Sequence, residues 1–515
     1  MMKKVVSLIL VAVMAISICV PALAANDSCN CGTAPVVFVP GFGESIYENP
    51  ESDDRSSVFP PSEDAIKSAV PDILKAAVCL LAFNDYEGFG TNAIAGADKL
   101  LGSLALNLDG TPVKNTGAMP NPAPEAEKHK ITEYCFMASP EYETGDYKFI
   151  YDWRLDPIDN AKLLKEYVNE VKEATGHSKV ILSCHSQGNT IVASYLHLFG
   201  SDDVEKLVFL SPAYKGLSLI GSLLTLQVGV SGKGEKLEEF IKSFMGYDNA
   251  QSQLIASVID VLGKAGVVDS LLDYVQKLLD EQLDRIFKEY LVDAMGTMPG
   301  VWSFVPDEYY EQAKAELLGD SEKYAELIRR ADYYHYNVQN KLEDILTAAK
   351  KNGVSIVISV GCGISTIPVT TAETESHSDM LIDTKYMSIG ATCAPFGETL
   401  GDGYVQKNTS CGHNHVSPDN TIDASTCLFP EYTWYIFGSD HNQFGEDYLQ
   451  FLKWAILYDG QPTVHSNEKY PQFMKVGENK ELLPADGPRP AETRSNLEII
   501  VSSVVTLLKD SIRNK

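Results

Sequence analysis

The strongest constraint on this fold is a series of short apolar runs that end at Gly, Pro, Ser or Asp. They are "VVFVPG" at 36–41, "YKFIYDW" at 147–153, "KVILSC" at 179–184, "KLVFLSP" at 206–212 and "VSIVISVG" at 354–361. A strand buried on both faces has no polar side, so it reads as a continuous Val- and Ile-rich run rather than an alternation. Helical patterns lie between these runs, as in "NAKLLKEYVNEVKEA" (160–174) and "NTIVASYLHLF" (189–199). Strand and helix in alternation imply an α/β chain with a mostly parallel central sheet.

Two blocks break the rhythm. Residues 62–106 and about 221–330 read as helices, the second containing "SLLDYVQKLLDEQLDRIFKEYLVDAM". Most of their apolar stripes must be ordinary packing. As insertions they are expected to cap a site at the carboxyl edge of the sheet, where open α/β sheets bind ligands. A last core-type helix, "GEDYLQFLKWAILYDG", leads to a polar extension at 460–515 that closes with an amphipathic pattern at 497–512. That pattern is too short to span a bilayer.

The N-terminus reads as an export signal at 1–24. Lys3 and Lys4 precede an apolar run, and Ala22-Leu23-Ala24 forms a small-x-small cleavage site. The expected location is therefore secreted or cell-surface. An exported chain can oxidise its cysteines. With Cys19 in the leader and Cys184 expected to be free, Cys29, Cys31, Cys79, Cys135, Cys362, Cys393, Cys411 and Cys427 form an even set that suits disulfides. "CGHNH" (411–415) hints at a metal site, but a turn beside a disulfide is the favoured reading and no metal is expected. The net charge of −28 argues against nucleic acid and against electrostatic docking on anionic lipid.

The chemistry centres on "ILSCHSQGNT" (181–190), where Ser186 sits between an apolar strand and a helix. A Ser hydroxyl is a weak nucleophile and needs a base, a group to orient that base, and donors for the oxyanion. A tight strand–turn–helix projects such a Ser from the sheet edge, provided the residues two places away on each side are small. Gly188 satisfies this, and Cys184 stands where Gly is usual. The backbone N–H of Gln187 is one expected oxyanion donor, and that of Phe42, in the loop after the first strand, is the other. The acid should follow Ser and precede His. Asp402, between two glycines in "GDG", is favoured, with Asp379, Asp383 and Asp423 as competitors. His441, in a loop running straight into a helix, is favoured as base over His413, His415 and His465. Asp152 and Arg154 in "YDWRLDP" read as a structural ion pair rather than catalytic groups.

These motifs together resemble the lecithin:cholesterol acyltransferase-like lipases, a branch of the α/β-hydrolases. The pieces are "VPGFGES", "FIYDWRLDP", "CHSQGN", "LVFLSPAYKGLSLIGS", "MPGVWSFVP", "GDGYVQ" and "SDHNQF", in that order over roughly 35–459. The resemblance implies an α/β-hydrolase domain over 25–459 with an inserted helical cap or lid. It also implies a Ser186–Asp402–His441 triad with Phe42 and Gln187 at the oxyanion, and no cofactor. The activity the resemblance implies is hydrolysis or acyl transfer on phospholipid or acylglycerol esters, with a lipid–water interface as an expected setting. Two other readings stay open: a carboxylesterase for small soluble esters, and a non-catalytic surface protein that uses the fold for binding.

Overall fold

A computed structural model describes residues 33–83, 85–125, 147–227, 229, 276–277, 295–319, 322–367, 376–442, 445–477 and 479–487. The export signal, the 497–512 pattern, Cys29, Cys31, Cys135 and much of the 221–330 block lie outside these residues.

The centre is an eight-stranded sheet. In chain order its strands are β1 (Val36–Val39), β2 (Tyr147–Lys148), β3 (Val180–His185), β4 (Val204–Leu210), β5 (Ser355–Cys362), β6 (Thr433–Phe437), β7 (Phe473–Val476) and β8 (Leu482–Pro484). The spatial order is β8-β7-β6-β5-β4-β3-β1-β2. Every neighbouring pair is parallel except β7 with β8. This is the expected α/β architecture with a mostly parallel sheet. The direction of winding reverses between β1 and β3, and that reversal opens a crevice beyond their carboxyl ends.

Burial explains the apolar runs. All residues of β1 and β5 are buried, and β4 exposes only Glu205. Helices cover both faces. The helix Pro157–Thr175 starts with Asp156 accepting a hydrogen bond from the Ile158 N–H, with Pro157 in the first turn, and stops at Gly176 with φ 71°. The helix Glu446–Leu457 ends on the Nζ of buried Lys206, which donates to the carbonyls of Ala455, Ile456 and Tyr458. Burial lowers this ammonium to about 8.

Two expectations change and one holds. The sheet does not end near 459, because β7 and β8 extend it to Pro484. β7 is "FMKV", half-buried at its end, and its short mixed pattern carries no strong apolar signal. The 62–106 block is helical as expected, with helices Glu63–Phe83 and Tyr86–Leu101 followed by a single 3₁₀ turn. Among the described residues the cysteines form no disulfide: Cys79, Cys362, Cys393, Cys411 and Cys427 are free, as is Cys184, the one expected to be. Several of these thiols are buried in the core, so their type follows from packing rather than cross-linking. Among the described residues, no helix is long and apolar enough to cross a membrane.

The pair Asp152–Arg154 is structural, as expected. Arg154 is fully buried, binds both carboxylate oxygens of Asp152 (2.9 and 2.6 Å), and donates to the Leu104 carbonyl and to Thr116. Every guanidinium direction is thereby used, and the segment after the helical hairpin is fastened to the end of β2.

Candidate active site

Ser186 follows β3 with φ 51°, the left-handed conformation a sharp strand-to-helix turn demands. Two close approaches require glycine here. A Cβ on Gly188 would lie 2.2 Å from the Val39 carbonyl oxygen, and one on Gly41 would lie 2.8 Å from Ser186 Cβ. The loop after β1 therefore presses directly on Ser186, and the helix Gly188–Phe199 starts hard against β1.

Cys184, the departure at the turn, has a place beneath it. Its Sγ donates to Asn189 Oδ1 at 3.2 Å, and Asn189 Nδ2 donates to the Ser186 carbonyl at 2.8 Å. Burial pushes the thiol well above its ordinary pKa, so it stays protonated and serves as that donor. A glycine there could not make this link.

His441 Nε2 lies 2.9 Å from Ser186 Oγ, and its Nδ1 lies 2.7 Å from a carboxylate oxygen. That carboxylate belongs to Asp379, not to the favoured Asp402. Asp379 is fully buried. Its Oδ1 accepts from the backbone N–H groups of Leu381 and Ile382, which leaves Oδ2 for the histidine. Gly361 at the end of β5 permits this, since a Cβ there would sit 2.5 Å from Asp379 Cβ.

Asp402 is exposed on a surface turn. Gly401 and Gly403 both have positive φ, and a Cβ on either would meet nothing within 4 Å. The turn is real, but flanking glycines bring no side chain to anchor it inward. The other competitors are occupied elsewhere. Asp383 accepts from the N–H and hydroxyl of Ser218, and Asp423 accepts from the Tyr404 hydroxyl. One sequence signal favours Asp379: it is the first Asp after the β5 run.

The expected oxyanion donors lie on the two segments that flank Ser186. Gln187 opens the helix Gly188–Phe199, and its side chain donates to the Trp153 carbonyl at 2.8 Å. Phe42 follows Gly41, and its half-exposed ring stands 4.2 Å from that of Trp153. Phe59 and Phe304 complete an aromatic group around Phe42 at 6.2 and 6.3 Å. Of the competing histidines, His413, His415 and His465 gather around Glu431 instead.

A second histidine lies against His441. His185 Nε2 donates to the His441 carbonyl at 2.9 Å. Burial, helped by the neighbouring His441, lowers the His185 ring to about 3. At neutral pH the His185 ring is therefore uncharged.

Residues 137–270 match the family model described as "Lecithin:cholesterol acyltransferase". This segment is lecithin:cholesterol acyltransferase-like. The match bears out the resemblance drawn from the motifs, and it includes the Ser186 turn. A search of curated proteins returns no match. A solved structure titled "The crystal structure of Tle4-Tli4 complex" aligns at 13% identity with a TM-score of 0.25, covering 64% of this chain and 75% of that one.

Proposed function

We propose that this chain is an exported serine hydrolase or acyltransferase acting on lipid esters, with Ser186 as nucleophile, His441 as base and Asp379 as the group that orients the base. The observation that carries this reading is the continuous pair of hydrogen bonds from Ser186 Oγ through His441 to Asp379, at 2.9 and 2.7 Å. The family match over 137–270 and the aromatic group beside Ser186 favour a lipid ester over a small soluble one.

In this mechanism Asp379 accepts from His441 Nδ1–H, which leaves the Nε2 lone pair facing Ser186. Nε2 takes the Oγ proton as Oγ bonds to the ester carbonyl carbon. The N–H groups of Gln187 and Phe42 hold the oxyanion, aided by the positive end of the following helix. His441 then passes the proton to the leaving alcohol, and the acyl group stays on Ser186. Water resolves it as a lipase or phospholipase would, and an alcohol resolves it as an acyltransferase would. The helical insertions would act as the cap.

A fluorophosphonate probe tests the reading. It should label Ser186 in the wild-type protein and fail on Ser186→Ala. No labelling of folded wild type would favour a binding protein and sink the proposal. Comparing fatty acid release with transfer to a sterol then separates hydrolysis from acyl transfer.

A further inference from the structure

Away from the triad, two segments of the chain bring together Cys411, His413, His415 and Glu431. One ligand atom from each lies within 4.8 Å of all the others. We propose that this cluster is a structural site for a divalent transition metal, zinc by its donor set. Thiolate, imidazole and carboxylate together are the ligands zinc favours, and four donors at about 2.0–2.3 Å make a closed tetrahedral site.

The tautomer of His415 is the decisive detail. Gln472 Nε2 donates to the carbonyls of Pro430 and Thr433, so its Oε1 is the accepting end. That oxygen lies 2.6 Å from His415 Nδ1, which must therefore carry the proton. The lone pair of His415 Nε2 then points into the cluster, 3.1 Å from Cys411 Sγ and 3.2 Å from Glu431 Oε1. His415 is fully buried, while Cys411 and His413 are exposed at the mouth of the cluster. A nitrogen lone pair, a thiol sulfur and a carboxylate oxygen facing one another form a donor set that a divalent cation between them would hold together. Carbonyl- or amide-fixed imidazole is the usual support behind a metal-bound histidine.

His413 meets the same carboxylate oxygen of Glu431 as His415, and His465, outside the four, meets the other oxygen. His413 Nδ1 is 2.7 Å from Glu431 Oε1, and His465 Nε2 is 3.2 Å from Glu431 Oε2. Gly412, with φ 78°, reverses the chain between Cys411 and His413. Gln406 clasps the loop from within, through its Oε1 to the His415 N–H and its Nε2 to the His413 carbonyl. The turn at 430–432 leads into the start of β6, whereas His441 follows its far end, so the metal braces β6 from the edge opposite the triad.

The test uses the full chain. As purified it should hold about one zinc, measured by mass spectrometry of the metal. Chelation should lower the melting temperature, and added zinc should restore it. Cobalt in place of zinc should give a thiolate charge-transfer band that Cys411→Ser removes. Gln472→Ala should weaken metal affinity about 10- to 100-fold. His413→Asn, at an exposed position, should also weaken binding, and it guards against a variant that merely fails to fold. Two results would overturn the proposal: no change in melting temperature with zinc, or a Cys411 thiol equally reactive with and without zinc. Labelling of Ser186 should survive chelation. Its loss in chelated, folded protein would overturn the structural role.

Discussion

His441 Nδ1 meets Asp379 Oδ2 at 2.7 Å across 62 positions of chain, and this bond sets Asp379 apart from the other candidate carboxylates. Asp379→Asn would keep the shape but donate where it must accept, favouring the wrong imidazole tautomer. A loss of about 10⁴-fold in kcat on a p-nitrophenyl acyl ester is expected, by analogy with the same change in other serine triads. Asp402→Asn, on the exposed turn, should stay within about twofold of wild type. Equal losses in the two variants would refute the assignment.

Gly41→Ala places a methyl 2.8 Å from Ser186 Cβ and 3.1 Å from His185 Nδ1. Either the loop after β1 or the nucleophile must move. Losing the alignment of one oxyanion donor costs about 10²–10³-fold in kcat. Burst kinetics with a chromogenic ester, alongside an unchanged circular dichroism spectrum, would separate this from unfolding.

Phe42→Ala keeps the backbone N–H and removes only the half-exposed ring beside Trp153, Phe59 and Phe304. If that ring contacts the acyl chain, kcat/KM should fall more for decanoyl than for acetyl esters. Each buried methylene contributes roughly 0.8 kcal/mol, so the gap should widen with chain length. A uniform drop across the series would place the ring outside the acyl path.

His185 gives a pH signature in stability. Its ordinary value is 6.5 and the fold lowers it to about 3. Below pH 6.5 the unfolded chain binds a proton that the native chain refuses, so this contribution is lost as pH falls from 6.5 towards 3. His185→Gln keeps a donor for the His441 carbonyl and removes the titration. Its unfolding free energy should therefore fall less steeply over that window. Buried Asp156, raised to about 6, acts in the opposite direction and is common to both proteins, so it cancels in the comparison. Parallel urea midpoints from pH 6.5 to 4 would contradict the prediction.

Lys206→Met removes the donor for three carbonyls at the end of the helix Glu446–Leu457. Buried carbonyls left without partners cost about 1–3 kcal/mol each, less where water enters. The urea midpoint should drop at an unchanged slope, while kcat stays near wild type because the ammonium sits away from the triad. An unchanged midpoint would show that the cap contributes nothing.

The sequence by itself determined the parts that local physics records. Strands buried on both faces must be continuously apolar, so the runs at 36–41, 179–184, 206–212 and 354–361 announced a parallel sheet. A strand, a Ser and a small residue before a helix announced the turn at Ser186, and a histidine in a loop before the last core helix announced His441. Tertiary structure alone decided which acid meets that histidine. "GDG" marks a tight turn equally well on the surface or in a site, and only the path of the loop after β5 over Gly361 brings Asp379 beneath His441. The same holds for Cys411, His413, His415 and Glu431, whose shared cluster depends on loops separated in the chain. β7 was hidden for a related reason: a short, half-buried strand near the sheet edge needs little apolar pattern, because its neighbour supplies the hydrogen bonds that hold it.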